Sequence, residues 1–288
     1  MTESDTDAYF ETEVAPDPIE IVRGIDERFE RRIEMSVPDR HNPKLRRAME
    51  LVRADDDLYG LWLAANVNAV ERLGMTDHGP VHVKIVMNIA VRMFRLLVEA
   101  GVEPSVVRNY RMDPEDGEVV VALAALLHDV GMSIHRDDHE AFSLFLATGK
   151  LREILPEIYD ARRCTIMRSE ILHAIIAHRS GGKPLTLEAG VVRIADALDM
   201  AKGRSRIPFS AGSLSIHSVS AAAVDSVSLA RGDEKPIRIT VELTNSAGLF
   251  QLDQLLRNKL NGSGIEQYLE IQATLGDEEK RLLTDFSL

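Results

Sequence analysis

The chain has 288 residues, 45% of them hydrophobic and 28% charged, the make-up of a globular protein long enough for one large domain or about two smaller ones. Its 34 basic and 46 acidic residues give a formal net charge of −12, which excludes a general nucleic-acid or anionic-membrane binder, because phosphate surfaces are held by basic ones. The single cysteine, Cys164, excludes an internal disulfide and a thiolate cluster, so any metal must be held by His, Asp and Glu.

Residues 1–16 are acidic and lack periodicity, and are expected to form a disordered tail. No apolar run approaches the roughly 18 residues that a spanning helix needs, and the amino terminus is acidic where a secretory signal is basic and then apolar. The expectation is a cytoplasmic protein with no membrane contact. Between 17 and 208 apolar residues recur at three- and four-residue steps, in 21–33, 45–52, 58–73, 81–98, 119–127, 141–146, 166–177 and 187–201. Breaks fall at Pro38, Gly74, Gly101, Pro114, Gly131, Gly149, Pro156 and Gly181-Gly182. This predicts a bundle of about eight helices. Beyond Pro208 the period changes. Stretches 213–219, 227–231, 236–244 and 265–275 are strand-like, 221–225 is taken as a short helix, and 249–260 is an amphipathic helix. The order β-α-β-β-α-β predicts a small ferredoxin-like α/β domain over 209–288, giving an α+β chain in all.

Seven of the nine histidines lie between positions 78 and 178: His78, His82, His128, His135, His139, His173 and His178. The most informative stretch is V119-V-V-A-L-A-A-L-L-H-D-V-G131, nine apolar residues followed by an imidazole, a carboxylate and a glycine. A helix apolar on all sides is buried, so His128 and Asp129 border the core, where an uncompensated carboxylate costs several kcal/mol. A divalent cation compensates both groups at once; a His-Asp hydrogen bond or an arginine partner would also serve. Other helices repeat the anomaly. His82 opens an apolar helix, Asp196 sits inside V191-V-R-I-A-D-A-L-D199, and His173 lies among Ile171, Leu172, Ile175 and Ile176 ahead of His178. Four such helices point to convergence on one centre.

In this order, His82, then His128-Asp129, then Asp196 resembles the H…HD…D signature of the HD-domain superfamily of metal-dependent phosphohydrolases, over roughly residues 60–206. H82-V-K-I-V-M-N-I-A90 resembles that family's first-histidine helix, L126-L-H-D-V-G131 its HD turn and R193-I-A-D-A-L-D199 its closing helix. The resemblance implies a helical HD domain holding one or two divalent transition-metal ions (Mn, Fe, Co, Ni or Zn) and hydrolysing a small phosphorylated substrate, a nucleotide or another phosphate ester. His82, His128, Asp129 and Asp196 match the ligands of the first ion, with Asp129 as the bridge to a second. His139 and His178 resemble the further histidines of two-metal branches. His173 lies about 140° around a regular helix from His178 and so does not share its ion.

His78, four residues before His82, and His135, in the loop after the HD turn, are candidates to protonate a leaving oxygen, since imidazole titrates near neutrality. Lys84, His173, Arg179, Arg204 and Arg206 are candidates to hold substrate phosphate. Met132 stands where the branch that cleaves cyclic dinucleotides has lysine, which sets that substrate aside. Neither a G-x-x-x-x-G-K phosphate loop nor a G-x-S-x-G elbow occurs. Two alternatives stay open: a di-iron oxygenase on the same scaffold, and a regulatory module with a structural metal and a carboxy-terminal domain that binds an effector or pairs subunits into a homo-oligomer.

Overall fold

The sequence marks its own helix starts. In the computed structural model, which describes residues 32–39, 41–179, 181–200, 223–275 and 286–287, helix α1 (Pro43–Ala54) opens with proline in its first turn and with Asn42 as cap, the Asn42 Oδ1 accepting from the N–H of Leu45 at 3.0 Å. Helix α2 (Asp56–Asn66) is capped in the same way by Asp55, which accepts from Leu58 N–H at 2.8 Å, and runs into a π-helical stretch, Val67–Arg72. Helix α3 (Pro80–Glu99) again begins with proline. After the short α4 (Ser105–Tyr110) comes α5 (Pro114–Leu127), closed at its start by a capping box between Asp113 and Asp116. A 3-10 turn, Val130–Ser133, leads to α6 (His139–Ile154), then α7 (Ala161–Ala177) and α8 (Leu187–Leu198).

Helix α5 is the axis of the bundle. Every residue from Val119 to Leu127 is fully buried, packed among α3, α7, α8 and α1. At roughly 1.5–3 kcal/mol for each large apolar side chain, burial of this one helix outweighs any local propensity. Its carboxylates are matched: Glu118 is buried against Arg95 (2.9 and 3.0 Å), His41 (3.0 Å) and Asn42 (3.1 Å). Trp62 of α2 fixes its end by donating from Nε1 to the Leu126 carbonyl at 2.8 Å.

The expected helical windows from 45 to 198 appear, and α4 is an addition, too short to carry a period in sequence. The expected helix 21–33, the acidic tail 1–16 and the boundary near 208 fall on or reach into residues outside those described. Beyond it, β1 (Val224–Arg231) and β2 (Ile237–Leu243) form an antiparallel pair, and β2 pairs in parallel with β3 (Leu269–Leu275), from Ile237 opposite Leu269 to Leu243 opposite Leu275. Phe286–Ser287 adds a two-residue edge, β4. Ile237, Ile239, Val241 and Leu243 face inward, as their alternation predicts. Between β2 and β3 the chain passes through a π-helical turn, Gln251–Leu256, into α9 (Arg257–Leu260).

Two expectations need correction. Val224 and Asp225, taken as the end of a short helix, belong to β1, where Val224 is buried beside Leu243. A ferredoxin-like order places a further strand between two parallel strands joined by a helix, whereas here β2 and β3 hydrogen-bond directly to each other; the expected first strand, 213–219, lies outside the described residues. The observed architecture is a helical region followed by a small sheet. Arg92 of α3 donates to the β1 carbonyl of Leu229 (3.2 and 3.0 Å), and the apolar cores of the two are continuous.

Candidate metal centre

Each histidine of the predicted set is delivered by a helix end. Asp77 Oδ1 accepts from the N–H groups of Gly79 and His82, both at 3.1 Å, and so fixes His82 in the first turn of α3. His128 closes α5, and Asp129 starts the turn that follows. Gly131 is required there: a Cβ on it would lie 2.0 Å from the His139 carbonyl oxygen and 2.4 Å from Ser143 N. Its N–H donates to Ser143 Oγ at 2.8 Å. This close approach presses the HD turn onto the first turn of α6 and brings His139 to Asp129.

Around one oxygen of Asp129 the first set gathers. Asp129 Oδ2 is 3.4 Å from His82 Nε2 and 3.3 Å from His128 Nε2; the two imidazole nitrogens are 3.2 Å apart; Asp196 Oδ1 is 3.6 and 3.7 Å from them. Separations of 3.2 to 3.7 Å between the two imidazoles and from each of them to the carboxylate oxygens suit ligand bonds of about 2.1 Å, the length of metal–imidazole and metal–carboxylate bonds, and His82, His128 and Asp196 offer atoms within 4.8 Å of one another. The donor set therefore fits a divalent transition-metal ion. The other oxygen, Asp129 Oδ1, faces the second set, His139 Nε2 at 3.3 Å and His178 Nε2 at 3.6 Å. Glu140 lies beside that set, its Oε2 3.4 Å from His139 Nδ1, and one carboxylate oxygen and one ring nitrogen each of His139 and His178 lie within 4.8 Å of one another.

The remaining ring nitrogens set the tautomers. Nδ1 of His128 meets the Ala125 carbonyl at 2.8 Å, Nδ1 of His178 the Ile175 carbonyl at 2.5 Å and Nδ1 of His139 the Arg136 carbonyl at 2.9 Å. A carbonyl only accepts, so at His128 and His178 Nδ1 carries the proton and Nε2 turns its lone pair to the centre; at His139 the Arg136 guanidinium, which only donates, meets the same Nδ1 at 2.9 Å and competes with the carbonyl. His82 Nδ1 is 2.6 Å from Asp199 Oδ2, a carboxylate–histidine pairing that makes the imidazole a better ligand. In the absence of a cation these groups compete for protons. Burial pulls the His128 imidazole down, but the Asp129 and Asp196 carboxylates outweigh it and raise it to about 10. Burial raises Asp129 and Asp196, yet both are held well below the usual carboxylate range, Asp129 chiefly by His128 and Asp196 by Lys259 and His128. Burial, with His128 and Lys259 nearby, lowers His178 to about 3.

Of the other predicted residues, His78 lies at the edge of this centre, buried, its ring 5.4 Å from that of His82 and its Nδ1 2.7 Å from the Thr76 carbonyl. His135 is exposed, its Nδ1 accepting from Asp137 N–H at 3.0 Å. His173 is half-buried away from the cluster, and its Nε2 accepts the Leu185 N–H at 2.9 Å, bracing the loop before α8. Lys84 is partly exposed and Arg179 exposed. Arg204 and Arg206 lie outside the described residues. Among the described residues, four groups at the centre escaped the sequence reading: Asp199, Glu140, Lys259 and Arg136, whose Nη1 lies 2.9 Å from His139 Nδ1 and 3.4 Å from its Nε2. Asp199 was signalled by its i, i+3 spacing from Asp196, and Glu140 by adjacency to His139. Lys259 had no signal: it comes from α9, and its Nζ donates to Asp196 Oδ2 at 3.1 Å and to the His178 carbonyl.

Comparison with known proteins fits this geometry. Residues 81–201 match the HD domain family. A protein of Methanocaldococcus jannaschii, itself described as uncharacterized, is 44% identical over 224 residues, which are 78% of this chain and 86% of that protein.

Proposed function

Because this chain belongs to the HD domain superfamily of metal-dependent phosphohydrolases, we propose that it hydrolyses a nucleotide or another small phosphate ester at the centre built on Asp129. The observation that carries this reading is the carboxylate shared by two sets of imidazoles, Oδ2 towards His82 and His128 and Oδ1 towards His139 and His178. A lone structural ion has no use for the second set. In the proposed assignment His82, His128, Asp129 and Asp196 hold one divalent ion (Mn, Fe, Co, Ni or Zn), and Asp129, His139 and His178, with Glu140, hold another.

The chemistry such ions supply when bound is acidification of water to a hydroxide nucleophile near neutral pH and polarisation of the phosphoryl group. The chain supplies orientation and charge. Asp199 keeps the His82 imidazole aimed inward through its Nδ1, the carbonyls at Ala125 and Ile175 do the same for His128 and His178, and Arg136 brackets the His139 ring with both its carbonyl and its guanidinium. His78, packed against His82, is the proposed donor of a proton to the leaving oxygen, with His135 at the exposed turn as the second candidate. Lys84 and Arg179, with Arg204 and Arg206, are proposed to meet substrate phosphate. The segments 41–179 and 181–200 supply every ligand of both sets, and no helix among the described residues is long and apolar enough to cross a membrane.

The test is metal analysis of the purified protein together with phosphate release over a panel of nucleoside mono-, di- and triphosphates and simple esters. Two equivalents of Mn, Co, Ni or Zn with release from at least one nucleotide support the reading. A mixed-valent di-iron spin-resonance signal with no phosphate release overturns it in favour of an oxygenase. A single tightly held ion with no turnover assigns the centre a structural role.

A further inference from the structure

We propose that Lys259 is a positioning residue of the metal centre, contributed by the carboxy-terminal segment; the inference rests on the metal-centre reading above. Its ammonium donates to Asp196 Oδ2 at 3.1 Å, while Asp196 Oδ1 is the oxygen that faces His82 and His128. One carboxylate oxygen is thereby committed to lysine, which leaves the other as a one-atom ligand in a fixed direction. The same ammonium donates to the carbonyl of His178, the residue whose Nε2 stands 3.6 Å from Asp129 Oδ1. A single side chain thus ties one ligand from each set.

Lys259 is itself held in place from below. Arg193 of α8 is 1% exposed and donates from Nε to the Lys259 carbonyl at 2.7 Å and from Nη2 to the Asn258 carbonyl at 3.1 Å. Arg193 and Asp196 are three residues apart on one helix face, so α8 grips the backbone of Lys259 with one residue and its ammonium with the other. The fit is close. A Cβ on Gly190, one turn earlier, would lie 2.5 Å from the Ser263 carbonyl oxygen just beyond α9. At 19% exposure, the Lys259 side chain is far from a solvated surface lysine.

Two effects of opposite sign compete. A cation beside the centre repels a divalent ion, and an ordered hydrogen bond to a ligand favours one. The Asp196 carboxylate lies between the ammonium and the imidazoles and offsets the repulsion, so orientation dominates. Hydrogen-bond partners of ligands are worth about 10–100-fold in metal affinity.

The experiment measures Mn2+ binding to the full-length protein by spin resonance of the free ion, for wild type, Lys259→Met and Lys259→Arg, alongside melting temperatures of the metal-free proteins. Lys259→Met is expected to weaken the tighter site about 10–100-fold while its metal-free melting temperature stays within about 4 °C of wild type, and Lys259→Arg to recover most of the affinity. Mn2+ binding by Lys259→Met as tight as wild type, or tighter, overturns the proposal. So does an affinity loss that comes with a matching fall in melting temperature and is not relieved by arginine, which makes the contact a structural strap. Failure of the wild-type protein to bind Mn2+ overturns the metal centre itself, and the wild-type titration alone reveals that outcome.

Discussion

The two faces of the Asp129 carboxylate are built differently. On the Oδ2 side stand two buried histidines and a second carboxylate, braced by Asp199 and Lys259. On the Oδ1 side stand His139 and His178, braced by backbone carbonyls and, at His139, by the Arg136 guanidinium, with Glu140 at the margin. The first face holds its own carboxylate, Asp196, against both imidazoles and is the tighter expected site; on the second, Glu140 meets His139 at Nδ1, where the Arg136 guanidinium also lies.

The largest effect should come from removing what both faces share. Asp129→Ala is expected to lose all bound metal and to drop turnover to the detection floor, and any retained phosphate release breaks the assignment. Removing one face at a time sharpens it. His82→Ala should abolish tight binding and leave only a weakly held ion, whereas His178→Ala should keep the tightly held one, so after dialysis against chelator-free buffer metal content by mass spectrometry should fall close to zero in the first variant and to one equivalent in the second; equal retained affinity in both would make the two faces one site.

The faces should also differ in their answer to pH. His128, raised to about 10, carries a proton in the metal-free protein at neutral pH, and a bound cation must displace it. Affinity at the Oδ2 side should therefore climb with pH, roughly tenfold per unit between about 7 and 9, with one proton released per ion. His178, lowered to about 3, is already uncharged throughout that range and adds no proton of its own. Calorimetry in buffers of different ionisation enthalpy counts the protons; release that disappears in His178→Ala and persists in His128→Ala would reverse the pairing. The smallest effect is expected at His173, whose bond to Leu185 N–H lies outside both sets. His173→Ala should cost about 1 kcal/mol of stability and leave metal content unchanged.

What could be read from sequence follows from distance along the chain. His128 and Asp129 stand out because nine buried apolar residues precede them, and a charged group at the end of such a helix needs a local reason. His82 and Asp196 repeat that contrast within their own helices. Lys259 offers no such contrast: in R257-N-K-L260 it has the look of any solvated lysine, and only tertiary packing brings it to Asp196, 63 residues away. The sheet was partly legible in the same sense. The alternation of β2 gives its inward face, but alternation cannot say which strand lies alongside, and the direct parallel pairing of β2 with β3 had no mark in sequence.

Arg193 carries a last consequence. Besides Lys259 and Asn258, its guanidinium donates from Nη1 to the carbonyls of Arg179 at 2.7 Å and Gly182 at 2.8 Å, with Ala177 at 3.4 Å. Burial lowers its pKa from the usual guanidinium value, with Glu266 opposing, but Arg is effectively always protonated. Two stretches some eighty residues apart are thus hung on one side chain. Opening either one strips hydrogen bonds from a buried charge, so the two should unfasten together, and amide exchange should report them as a single cooperative unit.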